Sequence, residues 1–403
     1  MKVYLVGGAV RDLILGRKNN DKDYVVVNSN VEEMISLGFK SVGKSFPVFI
    51  HTQKSGEFAL ARDEKKIGKK HFDFECFIEN VSLEEDLKRR DLTINAIAYD
   101  ENSDTYIDPF GGFEDIKNKI LRPVSKSFCE DALRLVRAAR FKAELGEEWK
   151  FDIKLKKYAL HMKNELKELS KERIYKESKK AMQCERSSLF FYSLLELDIL
   201  DVIFPWAYEL TKIEHSNDYH QEGSVFNHTM IAVDLCKDKN AKWAVLFHDV
   251  GKYQTFLKYG NFHRHCDIKI VQNVFENIQS SLTLSREELE ISKFFALNHH
   301  SLQNIFKNTM RVSKIAALLF KIKDKKRLDS ILEATLADLE GRKGKNNDLV
   351  FNKEQVACMW QLLRNTNYEV DHKTMSVEEI KSIITHMQIN ILKEFIKNIK
   401  QSA

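Results

Sequence analysis

The hydrophobic pattern of this chain changes character once. Short apolar runs dominate its beginning, at residues 2–6, 24–27, 48–51, 58–61 and 71–77. Such runs, rich in Val, Ile, Phe and Tyr, predict strands. Residues 10–15 have helical apolar spacing instead, so a strand, a Gly7-Gly8 turn and a helix are expected in that order. From about residue 127 onward apolar positions recur every three or four residues among many Lys and Glu, as in 153–169 and 174–182. That spacing predicts amphipathic helices and a nearly all-helical remainder, with strands confined to roughly the first 110 residues. Segments 121–127, 215–224 and 340–347 read as linkers.

Length and composition narrow the class without naming a partner. A chain of 403 residues can bury several cores, and two to four domains are expected. It contains no apolar stretch long enough to span a bilayer, and its start lacks the basic and apolar regions of a secretory leader, so the cytoplasm is the expected compartment and no membrane is involved. The six cysteines, at positions 76, 129, 184, 236, 266 and 358, form no Cys-x-x-Cys pair, which predicts reduced thiols and no zinc ribbon. A net charge of +5 helps attract a polyanion but does not establish nucleic-acid binding.

The chemistry begins at the first turn. Val6-Gly7-Gly8-Ala9-Val10-Arg11-Asp12 opens a helix, whose backbone N–H groups beside Arg11 suit an anion such as a triphosphate. Asp21-Lys22-Asp23 then leads into a β-branched run, and a strand's period of two places both carboxylates on one face. Two like-facing carboxylates call for a cation, and all-oxygen ligation favours Mg²⁺. Glycine pair, helix and acidic strand in this order resemble the DNA polymerase beta nucleotidyltransferase superfamily.

Further along, Leu87-Lys88-Arg89-Arg90-Asp91-Leu92-Thr93-Ile94-Asn95-Ala96 sets basic residues beside an apolar segment, where an exposed helix end is the simple alternative, and Asp108-Pro109-Phe110-Gly111-Gly112 predicts a turn. In Glu130-Asp131-Ala132-Leu133-Arg134-Leu135-Val136-Arg137-Ala138-Ala139-Arg140-Phe141 every position after the acidic pair is Arg or apolar, so the helix must be buried on most sides. Arginines three residues apart rotate by about 60° per step, so Arg134 and Arg137 can share a site while Arg140 drifts away. Enclosed guanidinium groups need an anion or acceptor: a phosphate, a base edge, or internal carboxylates.

GGAVRD, DKD, RRDLTINA, DPFGG, EDALRLVRAARF and ERIYKE, in that order over about residues 1–180, resemble the motif series of class II tRNA nucleotidyltransferases, the CCA-adding enzymes. The resemblance implies an α+β fold: a polymerase beta-like head with a mixed sheet and helices at 1–125, and an all-α neck and body at 126–215. It also implies Mg²⁺ on the catalytic carboxylates Asp21 and Asp23, and nucleotide contacts from Gly8, Arg11, Arg90, Asp131, Arg134, Arg137 and Arg140. Asp131 and Arg134 would act as a protein template for CTP and ATP at the tRNA 3′ end. Cytosine and adenine both carry an exocyclic amine beside a ring-nitrogen acceptor, so one carboxylate and one guanidinium can bond either. Asp91, Asn95, Glu172 and Arg173 match the pattern but could equally be structural, and Glu57 is a weaker candidate for a third carboxylate.

A separate constellation lies further on, where eight of the thirteen histidines fall between His215 and His300. Phe247-His248-Asp249-Val250-Gly251-Lys252 resembles the HD phosphohydrolase motif, with His228 and Asp338 as partners and His265, His299 and His300 as open additions. Imidazole and carboxylate ligands suit Ni²⁺, Mn²⁺ or Co²⁺, and a phosphatase or 2′,3′-cyclic phosphodiesterase activity is expected at 216–345, followed by a helical segment at 346–403. The enzyme expected is therefore bifunctional, with its oligomeric state open between monomer and homodimer. One rival is a bacterial poly(A) polymerase, which shares the head, although Val42-Gly43-Lys44-Ser45-Phe46-Pro47-Val48-Phe49-Ile50-His51 looks more like the CCA-adding version. Another is an HD hydrolase whose head only binds a regulatory nucleotide; the intact Asp21 and Asp23 argue against it.

Overall fold

The computed structural model describes the chain except for residues 19–20, 43–47, 67–73, 79, 215–220, 263, 307–309, 343–350, 371–374 and 403. Parts of the expected run 71–77, of the linkers 215–224 and 340–347, and of the distinguishing segment 42–51 therefore lie outside the described residues. Contacts group the chain into two compact units, one of Met1–Ala181 with Leu189–Ile203 and one of Met182–Ser188 with Phe204–Ala403.

The first unit is built on a seven-stranded mixed sheet. Its strands are β1 (Lys2–Val6), β2 (Asp23–Val27), β3 (Phe39–Ser41), β4 (Val48–His51), β5 (Lys54–Leu60), β8 (Ala98–Asp100) and β9 (Thr105–Ile107); β6 (Asp63–Lys66) and β7 (Phe74–Phe77) form a separate hairpin. The order is β3-β4-β5-β2-β1-β8-β9, with β2 and β5 parallel and the other neighbours antiparallel. Its central strands are the most apolar, and Val6, Val25, Val27 and Ala98 bury in one cluster with Ala61, Val81 and Leu87. Gly56 has φ +112, and a Cβ there would lie 2.5 Å from the Lys22 carbonyl oxygen; glycine thus lets β5 pass close to the start of β2.

Helix α1 (Gly8–Ile14) follows the predicted turn, and α2 (Val31–Ser36) crosses between β2 and β3. Helix α3 (Leu83–Lys88) begins with a Ser82–Glu85 capping box. The arginines that follow it are not the solvated helix end that the basic run allowed: Arg89 and Arg90 turn to the fully buried Asp86, at 2.7 and 3.1 Å. In the predicted 108–112 turn, the Asp108 carboxylate accepts the N–H groups of Gly112 and Phe113 and so starts α4 (Gly112–Asn118). Two short strands, β10 (Ile120–Leu121) and β11 (Lys150–Phe151), pair in parallel beyond the expected limit of the strands; two residues are too few for alternation to be visible.

Helix α5 (Leu133–Leu145) is as enclosed as its composition requires, with nine of its thirteen residues buried. The helix expected over 153–169 is split into α6 (Ile153–His161) and a 3₁₀ turn at Glu165–Glu168, with no glycine or proline marking the break. Helix α7 (Lys171–Ala181) buries Ile174, Glu177, Ser178 and Ala181.

The buried Asp91 ties these elements together. Its Oδ1 accepts from the Leu92 N–H and the Asn95 amide, and its Oδ2 accepts Nε and Nη2 of Arg137 at 2.9 and 2.7 Å. Asn95 in turn accepts from Arg11 at 3.0 Å. Burial opposes the Asp91 charge, but Arg137 and Asn95 outweigh it and hold the carboxyl well below the usual range.

The second unit is helical among its described residues. Helices Val225–Leu235, Lys242–Phe247, Arg286–Gln303 and Lys325–Glu340 pack on one another around Phe226, Trp243, Phe247, Phe295 and Leu332. No described helix is long and apolar enough to cross a membrane.

Asp91→Ala removes the two-point partner of Arg137 and leaves it only the Glu177 carboxylate at 3.6 Å, and a stability loss of about 3 kcal/mol at pH 7 is expected in urea unfolding. The folded carboxyl titrates below the unfolded one, whose pKa is about 3.9. The difference between mutant and parent is therefore complete above that pH and shrinks as pH falls below it.

Candidate active site

A cavity of about 550 Å³ opens in the first unit. Gly8, Arg11, Asp21, Asp23, Arg90, Asp131, Arg134, Arg137 and Arg140 all line it, as do Asp91, Asn95 and Arg173, whereas Glu57 and Glu172 are not among its lining residues. Gly7 takes φ +75, and a Cβ there would sit 3.2 Å from Nη1 of Arg90, which explains the glycine at this turn.

Asp23 opens β2, while Asp21 precedes the strand and reaches the same cavity. The parallel register sets Glu57 directly beside Asp23. Partial burial raises the Asp23 pKa, Glu57 and Asp21 raise it further, and Arg90 opposes them. Clustered carboxylates that disfavour one another's charge are a donor set that a hard divalent cation fits, since it reverses this penalty.

The arginines are held in fixed directions. Arg11 donates to Asp12 at 2.9 and 2.8 Å as well as to Asn95. Arg134 donates to the carbonyls of Ser127 and Arg89 at 2.8 and 2.7 Å. Asp131 accepts the Leu133 N–H through Oδ1 and Arg173 through Oδ2, the latter at 2.6 Å. Arg140 does not drift away from the site. Its Nε meets Glu177 at 2.6 Å, Nη1 meets Glu144, and its guanidinium lies over Phe141. Glu177 also stands 3.6 Å from Arg137, so one carboxylate gathers two arginines that the helical spiral would separate. The internal ion pairs weighed for this helix thus form for Arg137 and Arg140, within the cavity wall.

Phe141 and Glu177 end the EDALRLVRAARF and ERIYKE motifs but were given no role there, and Glu144 and Lys180 were not singled out in the sequence. A signal for Glu177 existed: it is a carboxylate at an interior position of the Ile174, Ser178, Ala181 face of α7.

The second unit contains a buried cluster that includes all four residues of the His-Asp reading. His228 Nε2 lies 3.0 Å from Asp338 Oδ1, and His248 Nε2 lies 3.1 Å from Asp249 and 3.5 Å from Asp338. These side chains are 1–2 % exposed. Asp249 Oδ1 has no hydrogen-bond partner, and neither does His248 Nε2. Buried groups left in this state suit a bound cation. Burial disfavours the His228 charge, but Asp338 and Glu222 outweigh it and lift its pKa to about 9. Burial lowers His265 to about 3 and His300 to about 4, leaving both imidazoles neutral.

A family model described as "Poly A polymerase head domain" matches residues 3–122, and one described as "Probable RNA and SrmB- binding site of polymerase A" matches 150–210. The chain is 36% identical over 359 residues to a "Multifunctional CCA protein" of Shewanella denitrificans, covering 85% of each. It is 34% identical to the protein of that name in Acinetobacter baumannii strain SDF, over 100% of this chain and 99% of the relative. The fold is similar to that of the Bacillus stearothermophilus CCA-adding enzyme solved in complex with CTP, with a TM-score of 0.64, 22% identity and coverage of 97% of this chain and 89% of the other. Full-length similarity at this level, together with five of the six motifs reaching one cavity, shows that the chain belongs to the CCA-adding tRNA nucleotidyltransferases, among their multifunctional CCA proteins.

Proposed function

We infer that the protein adds CCA to the 3′ end of tRNA from CTP and ATP without a nucleic-acid template, releasing pyrophosphate at each step. The observation that carries this reading is the single cavity in which an aspartate pair faces a wall of oriented arginines. The full-length relatives support it, and they also favour CCA addition over poly(A) synthesis. The head match does not separate these two, because the rival shares that domain. Segment 42–51, which the sequence offered as a discriminator, lies partly outside the described residues.

Membership of a nucleotidyltransferase family implies a divalent cation. Asp21 and Asp23 are the residues to hold Mg²⁺, with Glu57 beside them as a third carboxylate. An ion held there would supply charge neutralisation on the triphosphate and a lowered pKa for the attacking hydroxyl. The chain's own residues do the positioning. The glycine turn at Gly7 and Gly8 admits the phosphates close to the backbone, with Arg11 and Arg90 beside them. Asp131 accepts from the exocyclic amine of cytosine or adenine, while Arg134 donates to the adjoining ring nitrogen. Arg173 and the two carbonyls on Arg134 hold this pair in register before the nucleotide arrives. Arg137 and Arg140, anchored by Asp91 and Glu177, close the remaining wall.

Functionally the chain divides more finely than its two contact units: nucleotidyltransferase head at 1–125, neck and body at 126–215, HD-like region at 216–345 and C-terminal helical segment at 346–403. In the HD-like region His228, His248, Asp249 and Asp338 would hold an ion of the Ni²⁺, Mn²⁺ or Co²⁺ class, which would supply phosphatase or 2′,3′-cyclic phosphodiesterase chemistry. Their burial and the unpartnered Asp249 oxygen support this. Free thiols at the described cysteines fit a cytoplasmic setting.

Asp21→Ala or Asp23→Ala is expected to abolish nucleotide incorporation into tRNA lacking its 3′ end, with an unchanged thermal melt; normal activity in either variant refutes the cation assignment. With CTP and ATP offered separately, the parent adds two C and then one A, whereas a long A tail would establish the polymerase instead. Asp131→Ala should lower CTP and ATP incorporation about 100-fold or more and narrow their advantage over UTP, since roughly 3 kcal/mol of oriented hydrogen bonding is lost. His248→Ala should remove metal-dependent phosphoester hydrolysis and leave CCA addition intact.

A further inference from the structure

One exposed face of the second unit is left unexplained by the buried cluster beside it. From Val250 to Cys266 the chain carries no acidic residue, and the aromatic residues Tyr253, Phe256, Tyr259 and Phe262 recur at every third position with Lys258 and Arg264 among them. Aromatic residues at such a spacing ordinarily mark the buried side of a helix. Here they do not: in helix Lys252–Tyr259 the buried residues are Lys252 and Thr255, while Phe256 is 42 %, Leu257 67 % and Tyr259 38 % exposed.

The cations of this face sit on its rings. Lys258 Nζ and the guanidinium carbon of Arg264 each lie 5.1 Å from the centre of the Tyr259 ring, and Phe256 stacks on Phe262 with ring centres 5.6 Å apart. Toward the start of the helix, Lys212 Nζ lies 4.8 Å from the Tyr208 ring and 5.6 Å from that of Tyr253. Exposed rings with charges held against them are the two elements that a single-stranded nucleic acid engages, because every base has a π-face to stack on an aromatic side chain and the phosphate beside it meets a cation. A second copy of this face fits poorly. It would bring like charges together, and the run contains no carboxylate to answer them.

Both ends of the run are tied to the cluster. At its start Lys252 Nζ is 2.7 Å from Asp249 Oδ2, and at its end the Phe262 carbonyl oxygen is 2.6 Å from His265 Nδ1. Gly251 lets start and end close on each other, since a Cβ there would lie 2.3 Å from the His265 carbonyl oxygen. The eight residues of the helix rise about 12 Å, so an RNA end resting on Phe256 and Tyr259 lies within a few nucleotides of Asp249.

We propose that Phe256 and Tyr259, with Lys258 and Arg264, form a docking face for the single-stranded 3′ end of an RNA, which the face presents to the histidine–aspartate cluster. The docking stands on the rings and charges alone, whereas the presentation rests on the reading of that cluster as a phosphohydrolase. Stacking is tolerant of base identity, so the face takes an RNA end of any sequence and gives a polynucleotide an affinity that a mononucleotide lacks. Its members are positioning residues, set apart from the phosphate that reacts.

The test uses the full-length protein. A short single-stranded RNA that carries 4-thiouridine and ends in a 2′,3′-cyclic phosphate is photocrosslinked to it, and adducts on residues 253–262 are expected by mass spectrometry. In parallel, Ni²⁺-dependent hydrolysis of this RNA is compared with that of a mononucleoside 2′,3′-cyclic phosphate. Phe256→Ala combined with Tyr259→Ala should raise KM for the RNA about 10-fold and leave the mononucleotide kinetics and CCA addition unchanged, whereas Phe256→Tyr with Tyr259→Phe should restore the parent KM. The absence of adducts on 253–262 overturns the docking face, whatever hydrolysis shows. Adducts with an unchanged KM overturn the presentation to the cluster, and an equal loss on both substrates marks a structural role and overturns it as well. Adducts on a parent that hydrolyses neither substrate uphold the docking face and overturn the phosphohydrolase reading instead.

Discussion

The head depends on one buried carboxylate. Asp91 is 7 % exposed, and an unpaired charge at such a depth costs several kcal/mol. It persists because every direction around it is answered: a backbone N–H and an amide on one oxygen, a two-point guanidinium contact on the other. Leu92 and Asn95 are local partners, whereas Arg137 lies 46 residues further along the chain. Asn95 passes the restraint to Arg11 in α1, and Arg137 passes it to Glu177 in α7. Satisfying one charge therefore fixes where the glycine turn, the arginine helix and α7 stand around the cavity.

The same logic governs the rest of that wall. Seven arginines and Lys180 line the cavity, and cations gathered so closely repel one another. Asp86, Asp91, Asp131, Glu144 and Glu177 hold them against this repulsion. Each carboxylate also points its arginine, because a guanidinium bonded along one edge presents its remaining donors in a set direction. A nucleotide triphosphate entering such a site meets donors already oriented, so little reorganisation is needed as charge moves during transfer.

The cluster in the second unit follows a contrasting design. The head offers carboxylates at a cavity that water reaches, which suits a hard ion that keeps some of its hydration. The histidine cluster is almost fully buried, and its imidazoles are turned inward by acceptors on their outer nitrogens: Val245 for His248, Glu222 for His228, Phe262 for His265 and Phe295 for His299. Such outer contacts set the tautomer and the ring orientation, and the softer nitrogen donors favour a different class of ion.

Much of this was legible in the residues themselves. Apolar runs, glycine pairs and acidic spacing mark the strands, the first turn and the carboxylate pair, because these are local properties that period and turn chemistry express directly. The enclosed character of α5 was also readable, since no polar residue other than Arg follows its acidic start until Lys142. What local pattern cannot carry is which distant group answers a charge. The basic run at Arg89 and Arg90 reads as a solvated end until Asp86 is seen beneath it. Helical geometry alone sends Arg140 away from Arg137, and only the packing of α7 against α5 brings Glu177 between them. Likewise the histidines at 265 and 299 lie apart along the chain, and their approach to one oxygen of Asp249 is a product of helix packing around Gly251. Sequence determined the kinds of chemistry present; tertiary structure decided the partners, because a buried charge or lone pair is satisfied in space and not along the chain.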